Sequence, residues 1–319
     1  MKRKFDFEKH YNVLLQGVNQ LKDQAEQLNF NLEQELQGLE AKMEILRKTK
    51  YAELTPWEKT LLSRHIERPG TIDFIQRLFT DWTELHGDRL YGDDPAILGG
   101  IARLNDLPVT VIGHQKGKNV KDNMRMNYGM PNPEGYRKTL RLIQQAEKFK
   151  RPVIMFIDTP GAHPGVGAEE RGQAWAISQL LMVCAYIRVP IISIITGEGG
   201  SGGALALAVG DRLYMLKHAI FSVASPEACA SIIWKDPERA PEMAEQLKIT
   251  AEDLLKFEII DGIIEEPIGG AHTDPDATAE LVKSVIVSSL QTLIPLDETT
   301  LLEQRYQRLR KIGSQSLLS

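Results

Sequence analysis

IISIITGEGGSGGALALAVG, residues 191–210, is the stretch whose reading decides the fold. Ile191, Ile192, Ile194 and Ile195 read as a buried parallel strand. Five glycines and one serine follow within the seven positions from Gly197 to Gly203, then a short apolar helix over 204–208 closed by Gly210. A strand that ends in glycines and runs straight into a helix aims the unpaired backbone N–H groups of the helix N-terminus at an anion. Three motifs overlap here. Gly197-x-Gly199-x-x-Gly202 matches a dinucleotide fingerprint, Gly199-x-Ser201-x-Gly203 matches a nucleophile elbow, and the N–H groups of Gly202 and Gly203 can form an oxyanion hole. The dinucleotide reading also requires a full crossover helix and an acidic residue ~20 positions on. Here the helix has about two turns, and the next strand, 212–217, carries no acidic residue.

Upstream, residues 152–157 form a second buried strand, followed by DTPGAHPGVGAEERG, 158–172, and a helix over 173–186. Gly165, Val166 and Gly167 are candidates to offer N–H groups to the same anion. The chain thus twice repeats strand, glycine loop and helix, at a spacing that suits stacked β–β–α units. His163, in a Pro/Gly loop, is either structural or catalytic. Further upstream, 97–104 and 108–114 read as a hairpin turned at Asn105-Asp106. The second strand ends in Gln115-Lys116-Gly117-Lys118, lysines that either steer an anion or solubilise a loop. The polar loop HGDRLYGDDPA, 86–96, reads equally as solvated surface or as built structure, and 133–148 as a helix.

Residues 7–47 read as one long helix. Tyr11, Leu14, Val18, Leu21, Ala25, Leu28 and Leu32 fall in steps of three and four, and one extra step of four leads to Leu36, Leu39, Met43 and Leu46. This is a heptad seam with a stutter, packing on its own domain or on a partner helix. A second helix is expected over 51–68, with Thr55, Pro56 and Glu58 forming a capping box. A third is expected over 71–85, with Trp82 on its apolar face. Towards the C-terminus, helices are expected from Ser225, over 250–255, from Asp276 and over 298–311, with strands within 211–223 and at 261–266.

The 319 residues are 42% hydrophobic and 25% charged, with net charge −5, an ordinary composition with no basic stripe for nucleic acid. No apolar run is long enough to span a membrane, and no apolar segment follows the basic first residues, so a cytoplasmic location is expected. Cys184 and Cys229 are far apart in apolar contexts and read as buried thiols; no cysteine or histidine spacing suggests a metal site.

The glycine loop, short helix and following Gly-Asp resemble the second half of a crotonase-like core. LHGDR (85–89), GGIARL (99–104), VIGHQKG (111–117), MPNPEGYRK (130–138), IDTPGAHPGVGAEERGQ (157–173) and GEGGSGGALA (197–206) together resemble the alpha subunits of bacterial acetyl-CoA carboxylase carboxyltransferases. The resemblance runs over nearly the whole chain and is loosest in the N-terminal helical arm. It implies an α/β, crotonase-like core of repeated ββα units spanning 70–296, an N-terminal helical segment, 1–69, and a C-terminal helix, 297–319. It implies an α2β2 assembly with a carboxyltransferase beta subunit, the active site lying between the two. It further implies transfer of a carboxyl group from carboxybiotin to acetyl-CoA, giving malonyl-CoA for fatty acid synthesis. The biotin belongs to a biotin carboxyl carrier protein charged by an ATP-dependent biotin carboxylase, and zinc is expected on the beta subunit alone. On this reading Gly202 and Gly203 supply the oxyanion hole, Gly165, Val166 and Gly167 line the carboxybiotin side, and thioester preference resides on the partner. The competing reading is a serine hydrolase using Ser201, which needs an Asp and a His downstream.

Overall fold

The computed structural model describes residues 6–28 and 30–314. The basic stretch Met1–Phe5 and the end of the C-terminal segment, 315–319, lie outside the described residues. The expected long N-terminal helix is two, α1 (Asp6–Gln27) and α2 (Glu33–Ala52). The break, between Gln27 and Glu33, falls just before the extra step of four from Leu32 to Leu36. Phe30 N–H donates to Ala25 O at 2.9 Å, closing α1, and Asn31 Oδ1 accepts from Glu33 N–H at the start of α2. Folding back on one another, the helices bury Val18, Ala25 and Met43 but leave Leu14, Leu21, Leu28, Leu39 and Leu46 exposed.

The capping box forms as expected: Thr55 caps α3 (Pro56–Ser63) and Glu58 reaches back to the Thr55 N–H at 2.9 Å. The helix stops at Ser63 and does not continue to 68. Arg64 and Arg68 leave it in turns that carry both guanidinium groups inward. Helix α4 (Thr71–Leu78) is also shorter than expected, because Phe79 is extended and 80–84 form strand β1 (Thr80–Glu84). Thr80, Trp82 and Thr83 suit a pleated edge. Gly100 makes room for it, since a Cβ there would lie 2.2 Å from Thr83 O.

The expected hairpin is β2 (Ile97–Leu104) and β3 (Leu107–His114), in register from Ile97↔His114 to Leu104↔Leu107, with Asn105 left-handed at the turn. A short helix α5 (Val120–Arg125), a 3₁₀ turn Asn127–Gly129 and α6 (Pro133–Lys148) lead to β4 (Val153–Thr159). Then come α7 (Val166–Glu170), α8 (Gln173–Tyr186), β5 (Ile191–Gly200) and α9 (Ser201–Ala208). The remainder is β6 (Arg212–Leu216), β7 (Ile220–Ser222), α10 (Pro226–Trp234), α11 (Ala240–Leu247), α12 (Ala251–Lys256), β8 (Gly262–Ile264), α13 (Pro275–Leu293) and α14 (Glu298–Lys311).

Among the described residues the strands make one sheet, β1-β2-β3-β4-β5-β6-β8, with β7 on the far end of β5. The first three strands are antiparallel and β3 to β8 run parallel. Every residue of β4 and β5 is buried, as expected of central parallel strands covered on both faces. The carboxyl ends of β3, β4 and β5 therefore emerge side by side, and that edge carries the site. Helix α14 is locked to the core by Arg305, whose guanidinium donates to both Asp211 oxygens at 2.9 and 2.7 Å and to the carbonyls of Cys184, Ile187 and Val189. Asp211 in turn accepts from Ile191 N–H, so every polar edge of this buried pair is satisfied.

Candidate functional site at the carboxyl ends of three parallel strands

Strand β5 does not stop at Gly197 but runs to Gly200, and α9 begins at Ser201. The glycines within it mostly serve close approach. A Cβ on Gly197 would lie 2.4 Å from Asp158 Oδ1, on Gly200 2.1 Å from Pro160 O, and on Gly203 2.5 Å from Ala162 N and 2.6 Å from Gly161 C. Every third residue is bare so that β5 and the start of α9 can lie directly on the loop that leaves β4. Gly202 is different: a Cβ there meets nothing within 4 Å. Its helix starts from Gly200, which supplies no capping side chain, so the first N–H groups of α9 have no side-chain cap.

Gly203 is buried against Gly161, Ala162 and the Tyr136 hydroxyl. Gly165, Val166 and Gly167 begin the separate helix α7, with Gly165 tucked against the His163 ring and Val166 exposed. The backbone that faces Gly203 is thus Gly161–Ala162, earlier in the loop. Ser201 is exposed and left-handed, with φ 50°, as a sharp strand-to-helix turn demands. Among the described residues no histidine hydrogen-bonds its hydroxyl. His114 is fully buried with neither ring nitrogen hydrogen-bonded, and burial, with Lys116 nearby, pushes it down to about 3, so it stays neutral.

Beside α9 lies a cleft of about 250 Å³ bounded by Arg64, Lys116, Tyr128, Asp158, Pro160 and Glu198 among others. Pro160 belongs both to this wall and to the bed of Gly200, which joins the cleft to the start of α9. The floor is a charge network. Lys116 Nζ donates to Asp158 Oδ1 at 2.7 Å and to Glu198 Oε2 at 2.8 Å, and Arg64 bridges Glu198 and Glu227. Burial works against the Lys116 charge, but the two carboxylates more than reverse it and hold its pKa above the ordinary lysine value. Burial likewise works against the Glu198 charge, and Lys116 and Arg64 override it, holding the carboxylate at about 2. Of the two lysines noted in the sequence, Lys116 is therefore part of the site, while Lys118 pairs with Asp73 at 2.9 Å on its rim. Below the network Arg68 forks onto Glu266 at 2.6 and 2.9 Å and also bonds Thr196 O, tying the turn after α3 to β5.

Arg64, Glu198 and Asp158 escaped the sequence reading. Charged residues 134 positions apart carry no local signal of pairing, and Arg64 sat inside an expected helix. The loop 86–96, left open between surface and structure, is built: Asp88 accepts from the N–H groups of Leu90, Tyr91 and Gly92 and from Arg137, and Asp94 accepts from Ala96 and Asn132.

A family described as acetyl co-enzyme A carboxylase carboxyltransferase-like matches residues 4–313. The chain is 54% identical over 313 residues to the acetyl-coenzyme A carboxylase carboxyl transferase subunit alpha of Syntrophomonas wolfei, covering 98% of each chain. It is 53% identical over 310 residues to the same subunit of Carboxydothermus hydrogenoformans, covering 97% of this chain and 96% of that one. Among solved structures it resembles a Pseudomonas malonate decarboxylase hetero-tetramer in complex with coenzyme A, at TM-score 0.61 and 16% identity over 78% of this chain and 97% of that one. It also resembles a transcarboxylase 12S core with methylmalonyl-coenzyme A and methylmalonic acid bound, at TM-score 0.57 and 19% identity over 70% of this chain and 41% of that one. These two likenesses establish a crotonase-like α/β fold.

Proposed function

The chain belongs to the alpha subunits of the acetyl-CoA carboxylase carboxyltransferase family, and from that membership we propose how its own residues take part in the reaction. It is an enzyme subunit of a biotin-dependent complex in fatty acid synthesis. The N–H groups of Gly202 and Gly203 hold an oxygen anion that develops as the carboxyl group leaves carboxybiotin for acetyl-CoA, yielding malonyl-CoA. The observation that carries this is the start of α9: uncapped, emerging at the carboxyl ends of the parallel strands, and open beside Gly202. Preorganised backbone donors of this kind are worth about 2.7–4 kcal/mol each at an oxyanion. With backbone donors in that role, a side-chain nucleophile is not required.

The partners in this proposal are a carboxyltransferase beta subunit in an α2β2 assembly, the biotin carboxyl carrier protein and biotin carboxylase. The biotin stays on its carrier, zinc belongs to the beta subunit, thioester choice rests there too, and the complex works in the cytoplasm. No described helix is long and apolar enough to cross a membrane. Gly165, Val166 and Gly167 are proposed to line the outer, carboxybiotin side of the loop. The proposed units are the helical segment 1–69, the carboxyltransferase domain 70–296 and the C-terminal helix 297–319. Gly70 and Asp297, which open α4 and α14, support the two boundaries.

Ser201→Ala separates this function from hydrolysis. With the beta subunit present, the variant is expected to keep turnover within about three-fold, since the exposed hydroxyl makes no hydrogen bond among the described residues, and the parent chain is expected to form no adduct with a fluorophosphonate. Loss of turnover together with a covalent adduct at Ser201 would make the serine a nucleophile.

A further inference from the structure

The turn before α6 holds three consecutive left-handed residues, Asn127 (φ 48°), Tyr128 (φ 56°) and Gly129 (φ 76°). Asparagine and glycine adopt this region readily, whereas a bulky aromatic does so only under constraint. The constraint is visible on both sides. Asn127 Nδ2 donates to Met130 O at 2.8 Å, and Gly129 lies so close to the site that a Cβ would sit 2.7 Å from Lys116 Cγ and 3.2 Å from Asp158 O. The strained turn sets the Tyr128 ring in the wall of the cleft with about half its surface (49%) exposed. Strain of this kind persists where surrounding structure over-determines it, and it concentrates at ligand clamps. Lys116, which lines the same cleft, spends two of its three ammonium donors on Asp158 and Glu198, which leaves the third for a ligand.

We propose that the cleft between Tyr128 and Lys116 receives the flat ureido head of carboxybiotin, with the Tyr128 ring packed on its face and the remaining Lys116 N–H on its carboxylate. This deepens the function proposed above and rests on carboxybiotin meeting this chain. Two features of the cleft match that ligand. The wall carries an exposed aromatic side chain, Tyr128, suited to packing on the flat ureido ring. The cation on the floor is fixed in place by carboxylates, so it meets an incoming anion without reorganising. Pro160 lines the cleft and also packs under Gly200, the residue that precedes α9.

The test uses the chain reconstituted with its beta subunit and free biotin as the probe, following biotin-dependent decarboxylation of malonyl-CoA. Tyr128→Asn removes the ring while suiting the left-handed backbone. It is expected to raise KM for biotin about ten-fold, the scale of a lost stacking face, with KM for malonyl-CoA within two-fold and Tm unchanged or higher. Tyr128→Phe is expected to stay within two-fold of the parent on both KM values. Tyr128→Gly, which the backbone accepts most easily, is a second ring-less variant expected to reproduce the biotin effect. A biotin KM within two-fold of the parent in either folded ring-less variant overturns the proposal, and so does a rise confined to malonyl-CoA. Its failure is separable from failure of the α9 assignment. Gly202→Val acting on kcat while Tyr128→Asn leaves biotin KM unmoved overturns the pocket alone. The reverse pattern overturns the α9 assignment and leaves the pocket standing.

Discussion

Side chains added at Gly203 and at Gly202 should have opposite consequences for stability, but a large enough one at either position should lower turnover. At Gly203 the new methyl of Gly203→Ala would lie 2.5 Å from Ala162 N, 2.6 Å from Gly161 C and 2.9 Å from Tyr136 Oη. Two of these are backbone atoms that cannot rotate aside, so the first turn of α9 must lift by about 1 Å to restore ordinary contact. Overpacking of this kind costs about 1–3 kcal/mol in stability. A 1 Å displacement of a positioned donor costs up to about 100-fold in rate, and complete loss of the donor about 100- to 1000-fold. Gly203→Ala should therefore lose on the order of 100-fold in kcat and also lower the urea midpoint. At Gly202 the same carbon meets nothing within 4 Å. Gly202→Ala should keep or raise stability, by up to about 1 kcal/mol for replacing a helical glycine. The bulkier Gly202→Val projects into the space where the ligand must lie, so it should lower kcat/KM at least about ten-fold with the fold intact. The assay is biotin-dependent malonyl-CoA decarboxylation by the complex with its beta subunit, paired with urea unfolding of each variant. Full turnover in Gly202→Val would refute the assignment, because no ligand could then approach the α9 N-terminus.

Arg305→Ala leaves Asp211 buried and uncompensated and is expected to lower stability by about 3–5 kcal/mol, read from urea unfolding; a loss under 1 kcal/mol would mean α14 is not an anchor. Thr55→Ala removes half of the capping box and should cost about 1 kcal/mol on the same assay. Acid should destabilise the chain in two overlapping windows. The unfolded chain protonates His114 below about pH 6.5 while the folded chain resists until about 3, and the folded-state advantage of ionised Glu198, full above about 4.5, is lost as pH falls through about 2. A urea midpoint that stays level from pH 7 to pH 3 would contradict both. Deleting residues 1–47 removes the partly exposed Leu14–Leu46 seam and should weaken assembly with the beta subunit in sedimentation while the sheet domain still folds; unchanged assembly would give the seam another purpose.

The elements with local signatures were legible in the sequence, several to the residue. Helix 173–186 and the hairpin turned at Asn105 were readable because periodicity, caps and turn residues act over a few positions. The errors share a cause. Residues 79–85 continued a helical pattern but became β1, because an open edge of β2 with Gly100 opposite offered a better partner than another helical turn. The N-terminal helix broke just before its stutter, and the 51–68 helix ended early because Arg64 and Arg68 are drawn to Glu198 and Glu266 across the chain. The glycine run was visible as a candidate site, but its division of labour was not. Whether a glycine faces a ligand or another backbone depends on the β4 loop, about forty residues upstream. The Lys116–Asp158–Glu198 floor was equally invisible, since it exists only once three strand ends stand side by side.

The central claim is that this chain performs carboxyl transfer by presenting α9 to a biotin-bound carboxyl group in a site completed by a second subunit. The direct measurement is biotin-dependent decarboxylation of malonyl-CoA by the chain alone, by the beta subunit alone and by the two mixed at equal concentration. Turnover confined to the mixture, and lost there on Gly202→Val, is the predicted result. Robust turnover by the isolated chain, or a mixture indifferent to that substitution, would contradict it.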